Sequence, residues 1–511
     1  MTGVSLLIVN GRVWPADGRS TALAIAGENV AAVGTDAEIL DLHGQGEVFD
    51  ARGATIMPAF NDAHVHFLMG SRSLGELDLH GAETQDEVER RVASYAAAHK
   101  DGWLVGRGWF YSAFPGGLPD VALLDRLVPD RPAYIESFDA HTGWANSRAL
   151  EISGVEGKEV LKESAMLRVT RHIPRRSQAE EMDALQSGME LAASRGVASV
   201  QEAGEGQDQI ALWRALRDSG RLTLRTRLAF DMVPGLEMAE WARRLEQYRE
   251  LARGADGWIT CGILKAFADG VVESRTASLL EPYAGSDSRG DPLWQDAELR
   301  EAVRMADAAG WQVQVHAIGD AAIRQALDAF EGTTPGRRHR IEHIEAPSPE
   351  DLPRFARLGV VASMQPQHAE PNRNLQEVWS ANLGPDRARG GWPWRTLSRS
   401  GAALAFGTDW PVVPLDPAAS LHVAVNRQTP AGEPPAGWIP AERLELTAAV
   451  DAWTAGAAFA EHAEAAKGTI RAGMAADIAV LDRDLDAAAP ADLGAIAVRL
   501  TVVGGRPVHR A

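Results

Sequence analysis

Eight candidate strands, set between stretches of helical periodicity, constrain this chain more than any other feature. They are Thr55–Pro58, Val197–Gln201, Leu224–Phe230, Cys261–Phe267, Gln312–His316, Arg340–Ile344, Val360–Met364 and Ala403–Phe406. Most are short apolar runs bounded by turn residues, which read as strands buried on both faces. The segments between them read as helices. Ser177-Gln178-Ala179-Glu180 is a capping-box start to a helix reaching Arg195, and Ala297–Ala309 and Ala321–Phe330 follow. Eight β–α alternations predict an α/β fold, a (β/α)₈ TIM-like barrel over 56–464. The gap of about 68–196 after the first run is too long for one crossover. It is expected to hold an inserted subdomain, with a helix near 84–99, a strand at Ala133–Ser137 and a glycine-rich aromatic loop at Gly106–Gly117. Both ends carry short strands and turns such as Asn10-Gly11 and Gly504-Gly505. Residues 1–55 and 465–511 are therefore expected to form one small β-sandwich domain.

Composition narrows the function classes. Lys and Arg total 51 against 70 Asp and Glu, a net charge of −19. So acidic a chain lacks the clustered cations that phosphate backbones require, and no nucleic-acid partner is expected. No apolar stretch reaches the length of a membrane span, and the N-terminal apolar run is short and has no basic stretch before it. No membrane partner is expected, and the cytoplasm is the expected location. The single cysteine, Cys261, allows neither an intrachain disulfide nor a multi-cysteine zinc site. It reads as a small buried hydrophobe.

The chemistry-bearing residues fall at the ends of the predicted strands. His64-Val65-His66 follows the first run. On extended backbone, residues i and i+2 point the same way, so both imidazoles can reach one metal ion. Considered alone, such a pair is as compatible with ordinary surface or core histidines. His316 closes the fifth run, His343 the sixth, and Asp409 follows the eighth. Four imidazoles and a carboxylate at the C-terminal ends of barrel strands form a nitrogen–oxygen donor set for a divalent ion. Zn²⁺ is the expected metal, one ion or two, with Mn²⁺, Co²⁺ and Fe²⁺ as alternatives. Lys265 lies among apolar neighbours in the fourth run. A desolvated lysine has a neutral, nucleophilic amine that can take up CO₂ as a bridging carbamate; a snorkelling or salt-bridged lysine is the other reading. Gly-x-Ser-x-Gly, the phosphate-binding glycine loops and His-Glu-x-x-His are all absent, against a nucleophile-elbow hydrolase, a nucleotide enzyme and a zincin.

Together these segments resemble the amidohydrolase superfamily, and within it the branch called amidohydrolase family 3, which includes N-substituted formamide deformylases. The resemblance runs through Val48–His66, Phe138–Leu150, Gly196–Gly204, Ile263–Thr276, Val315–Asp320, Ile341–Glu345, Ser363–His368, Gly407–Pro411 and Lys467–Asp482. It implies that His64, His66, Lys265, His316, His343 and Asp409 form the metal site, with Lys265 carboxylated in a two-metal centre. The alternative is a single zinc on His64, His66, His316 and Asp409. The resemblance also implies metal-assisted hydrolysis of an amide C–N bond. Asp409 would be the base for water, and His141 would steady the oxyanion; a structural role is the other reading of His141. Asp269 and Glu273 would orient metal-site groups, or Glu273 would be plain helix-face charge. Three departures stand out. Ala59 and Asn61 lie before the histidine pair, Gln201-Glu202 ends the second run, and Phe110-Tyr111 follows Gly108-Trp109 where relatives often place a polar residue.

Substrate contacts are expected from Trp109, Phe110, Tyr111 and Phe114 in the insertion and from Gln365, His368 and Trp410 after the last two runs. Each aromatic alternatively packs the insertion onto the barrel. Such a pocket favours a lipophilic N-substituted amide or formamide. A cyclic amide, carbamate or ester would use the same site. Deamination of a ring amine, or a non-catalytic metal-binding role, is the remaining reading. The partner expected is a small-molecule substrate, with a dimer or tetramer of the chain itself.

Overall fold

In the computed structural model, which describes residues 4–15, 18–43, 46–157 and 160–511, eight strands form one sheet in sequential order. They are β1 (Phe60–Val65), β2 (Val197–Glu202), β3 (Arg225–Asp231), β4 (Ile259–Phe267), β5 (Gln312–Gly319), β6 (Arg340–Ala346), β7 (Val361–Met364) and β8 (Leu404–Phe406). Every neighbouring pair is parallel. The ends of the sheet meet just past β1 and β8. There Asp409 N–H donates to the His64 carbonyl (2.7 Å) and His66 N–H to the Trp410 carbonyl (2.8 Å). The result is a nearly closed TIM-like barrel, as the strand–helix alternation predicts. Seven of the eight predicted strands lie within a few residues of their expected places.

The first strand does not. Thr55–Pro58 pairs with Ile478–Leu481 in a separate five-stranded sheet built from both ends of the chain. Ile56 joins a cluster with Ile478, Val480 and Leu500, while Met57 faces the barrel core. The true β1 reads as a turn because its residues are polar: Asn61, Asp62 and His64. All three are buried and bonded to partners distant in sequence. Asn61 donates to Glu461 (2.6 Å), and Asp62 accepts from the Thr408 hydroxyl (2.5 Å) and amide (2.9 Å). A strand that lines a polar site loses the apolar signature of its neighbours.

A further four-stranded sheet comprises Val4–Val9, Ala22–Ala26, Asn29–Gly34 and Glu47–Asp50. It shares the Leu6, Ile8, Leu23 and Ile25 side of its core with the five-stranded terminal sheet. Between β1 and β2 a third accessory sheet contains Leu104–Trp109, Ala133–Ser137 and Thr142–Ala145, with its own apolar cluster. The predicted capping box is formed: Ser177 accepts from Glu180 N–H (3.3 Å), and the Glu180 carboxylate accepts from Ser177 N–H (2.7 Å). No helix among the described residues is long and apolar enough to cross a membrane.

Closure of the barrel depends on one glycine. A methyl on Gly407 would press into the backbone nitrogen and carbonyl oxygen of His64. Backbone on both sides leaves no flexible atom to yield. Gly407→Ala is therefore expected to lower the thermal midpoint by several degrees and to reduce bound metal. An unchanged midpoint with full metal content would show that the ends of the sheet meet without this close approach.

Candidate metal-dependent active site

The strand ends bring the predicted donors together. His64, His66 and Asp409 place one ligand atom each within 4.8 Å of one another, and His343, His368 and Asp409 do the same. Asp409 Oδ1 lies 3.4 Å from His64 Nε2 and 3.5 Å from His66 Nε2. Its Oδ2 lies 3.7 Å from His368 Nε2. The His316 and His343 rings are 4.4 Å apart, and those of His343 and His64 4.9 Å. The backbone is left-handed at His343, Ile344 and Asp409, with φ of 74°, 54° and 63°. Such non-glycine conformations cost about 1–3 kcal/mol each and persist where the surroundings enforce them, as at functional sites.

Neighbouring groups fix which nitrogen each imidazole presents. His64 Nδ1 lies 2.7 Å from Glu342 Oε2, His343 Nδ1 2.8 Å from Gln365 Oε1, and His316 Nε2 3.1 Å from the Gly270 carbonyl. With these nitrogens donating, the lone pairs sit on His64 Nε2, His343 Nε2 and His316 Nδ1. Burial pushes the imidazoles of His316 and His343 well below their usual pKa, and His66 down to about 3, which favours their neutral form at pH 7. Burial opposes ionisation of Asp409, but His64, His343 and His66 hold its carboxyl well below the usual range.

Lys265 projects from β4 with its Nζ buried and unpaired, 4.4 Å from the centre of the Phe267 ring. Burial lowers its pKa to about 8 against the pull of Glu342 and Asp409. His64 Nε2, Asp409 Oδ1 and His368 Nε2 are likewise buried without hydrogen-bond partners. Nitrogen and oxygen donors left unsatisfied at a common centre are costly without a cation. The residues therefore fit a divalent metal.

Of the supporting shell, the sequence points to Asp269 but not to Glu342 and Arg340. Glu342 holds His64 and is itself held by Arg340, Nε to Oε1 at 2.8 Å. Both are fully buried. Arg340 also reaches the Ala63 carbonyl, Ser363 and Gln201, which locks β1, β2, β6 and β7 together. A charged pair inside a central barrel strand was the available signal. Glu202 accepts from Phe67 N–H (2.8 Å) and Leu68 N–H (3.4 Å), so it fixes the start of helix Phe67–Ser73 behind His66. Asp269 accepts amide protons from Ser278, Ile318 and Gly319 and ties the loop after β4 to the end of β5.

The expected substrate contacts divide. Trp109 is fully buried, donates to the Ile135 carbonyl (3.1 Å), and packs on Tyr111 and Phe114. Tyr111 is buried beside it, its hydroxyl 2.7 Å from Thr142 Oγ1. These residues form the core of the inserted sheet, which corrects the expectation that Trp109 and Tyr111 line the pocket. Phe110, next in sequence to both, faces a cavity of about 120 Å³ with Phe138, Glu273 and His368. Gln365 is fully buried; its Oε1 orients His343, and its Nε2 has no hydrogen-bond partner among the described residues. Trp410 packs on Phe67 (5.4 Å) and over Gly70, and borders a different cavity. His368 alone of the predicted contacts joins both the Phe110 cavity and the metal-ligand cluster.

His141 lies 5.7 Å from the His316 ring, and its Nδ1 is 2.8 Å from Glu163 Oε2. Burial would lower its pKa, but the Glu163 hydrogen bond and charge outweigh it and raise it to about 9. A folded pKa above the ordinary histidine value gives stability that is complete below about pH 6.5 and is lost as pH rises through about 9. Glu163→Gln is expected to flatten that loss and bring the His141 titration, followed by NMR, back toward neutrality. A His141 that still titrates near 9 in the variant would rule out Glu163 as the cause.

Residues 47–509 match the model of the amidohydrolase family. The chain belongs to that family: it is a metal-dependent hydrolase acting on carbon–nitrogen bonds other than peptide bonds. It is 29% identical to Protein LONG AFTER FAR-RED 3 of Arabidopsis thaliana, over 99% of this chain and 91% of that one. It is 24% identical to the N-substituted formamide deformylase of Arthrobacter pascens, over 98% and 97% of the two chains. Among solved structures, a metal-dependent hydrolase from Pyrococcus furiosus superposes with a TM-score of 0.71 at 27% identity, covering 93% of this chain and 98% of the other.

Proposed function

We propose that the protein hydrolyses the amide bond of a lipophilic N-substituted amide, formamides included, with Asp409 as the base. The observation that carries this reading is the unpaired, buried Asp409 Oδ1 between His64 and His66, a short step from a cavity walled by Phe110 and Phe138. The deformylase activity of the Arthrobacter relative supports the choice of substrate class. The metal, which we take to be zinc, would be held by His64, His66, His316, His343 and Asp409. Lys265, as its carbamate, would help to hold a second ion. When bound, the ion supplies a Lewis acid that polarises the carbonyl and acidifies water.

The protein's own groups do the rest. Asp409 accepts the proton of the attacking water and returns it to the leaving nitrogen, so amide and water give amine and acid. Protonated His141 donates to the oxyanion. Glu342 and Gln365 keep His64 and His343 in register. Phe110 and Phe138 hold the N-substituent out of water. We also read the two terminal sheets as one small β-sandwich domain, and residues of about 68–196 as an insertion that closes the barrel mouth.

The test is a product screen by mass spectrometry. Protein supplied with Zn²⁺ and bicarbonate would meet N-benzyl formamide, longer N-acyl amines, lactams and aryl esters. Amine plus acid from a linear amide is expected. Phe110→Ala should raise KM for the benzyl substrate about tenfold, roughly the transfer energy of part of a ring, with little change in kcat. Turnover confined to lactams or esters would overturn the reading.

A further inference from the structure

In a chain with net charge −19, residues 168–176 (Arg-Val-Thr-Arg-His-Ile-Pro-Arg-Arg) carry four arginines and no acid. They border a cleft of about 1110 Å³ between the inserted sheet and the helix that follows His66. Two of the arginines in its wall are neutralised. Arg72 makes a bidentate pair with Glu181, and Arg176 reaches Glu76 at 2.8 Å. Arg168 and Arg175 have no partner among the described residues.

Arg107, on the strand Leu104–Trp109, also lines the cleft. Its side chain is 6% exposed, and its Nε and Nη2 are buried without a hydrogen-bond partner. Glu136 stands opposite it in register on the neighbouring strand, yet no ion pair joins them among the described residues. Burial pushes the Glu136 carboxyl upward, toward its neutral form, and pushes the Arg107 guanidinium downward. Glu205 and Asp208 are the other acids of the wall, and both are exposed to water. A buried guanidinium with an unused hydrogen-bonding fork is costly, and a carboxylate or phosphate oxygen pair satisfies that fork.

We propose that this cleft is a binding site for a small anion, a carboxylate or phosphate group seated on Arg107 and enclosed by the arginines of 168–176. It is separate from the Phe110 cavity and does not depend on the substrate proposed above. The anion is either the charged end of a substrate or a separate effector.

The test uses the full-length, metal-loaded protein at low ionic strength. Inorganic phosphate and succinate are titrated by calorimetry and by thermal shift. The wild-type protein is expected to bind one of them saturably, with a rising thermal midpoint and an affinity that weakens with salt. Arg107→Gln should lose about tenfold or more in affinity and, lacking an unpaired buried charge, keep or raise its midpoint in buffer alone. The Arg168→Gln/Arg175→Gln double variant should lose several-fold and show a shallower salt dependence. Absence of saturable binding by the wild type overturns the proposal. So does undiminished affinity in either variant, and the double variant decides the matter if Arg107→Gln does not fold. The source is read from kinetics: an anion that raises KM alone occupies the place of a charged substrate end, and one that changes kcat is an effector. Both outcomes support the site.

Discussion

Asp409→Asn is expected to reduce kcat/KM about 10³-fold, within the range for loss of a general base. The asparagine keeps the shape of the carboxylate, so the barrel closure through the Asp409 amide and the His64 carbonyl survives. What is lost is the anion that faces His64, His66 and His368. His64, His343 and His66 hold the carboxyl well below its usual range in spite of its burial, so it is ionised across the neutral range. Steady-state kinetics paired with metal analysis separates its two proposed duties. Lost activity with metal retained marks the proton-transfer role, and loss of both marks the ligand role. A variant with full activity would remove Asp409 from the mechanism.

The second large effect is expected one layer back. Glu342→Gln removes the negative charge of a fully buried ion pair with Arg340 and leaves one acceptor oxygen where the Arg340 guanidinium and His64 Nδ1 each hold one. Removing one partner of such a pair costs about 3–5 kcal/mol, because the other charge stays buried. Loss of a ligand's orienting partner weakens metal binding by about 10–100-fold. The thermal midpoint and the metal dissociation constant should therefore fall and rise together. In a Glu342→Leu/Arg340→Met double variant the stability should largely return while the weakened metal binding persists. Recovery of metal affinity in the double variant would mean that Glu342 acts only through folding.

These two residues also show what the sequence conveys. Most of strands β2 to β8 are legible because parallel strands covered by helices are apolar on both faces, and β6, with Arg340 and Glu342, is placed by the strand–helix alternation instead. Strand β1 is not, because Asn61, Asp62 and His64 belong to the polar lining of the site and look like a turn. The donors are visible as strand-end histidines and an aspartate. Their geometry is not, because left-handed backbone at His343 and Asp409 breaks the two-residue alternation from which side-chain direction is read. The same limit governs Gly108-Trp109-Phe110-Tyr111. One step along this segment separates the core of the inserted sheet from the wall of the cavity, and only packing decides that Phe110 faces the cavity. Gln365 and Glu342 acquire their roles from histidines on other strands, and no local pattern announces those pairings.

The most direct measurement of the central claim needs no substrate. Divalent metal is counted by plasma mass spectrometry in the wild-type protein and in His64→Ala after supply of Zn²⁺ and bicarbonate and removal of free ions. The cluster at the barrel mouth predicts one or two equivalents in the wild type and a loss of most of that metal in the variant. A wild-type protein that retains none, or a variant that retains all of it, would contradict a metal centre built on these strand ends.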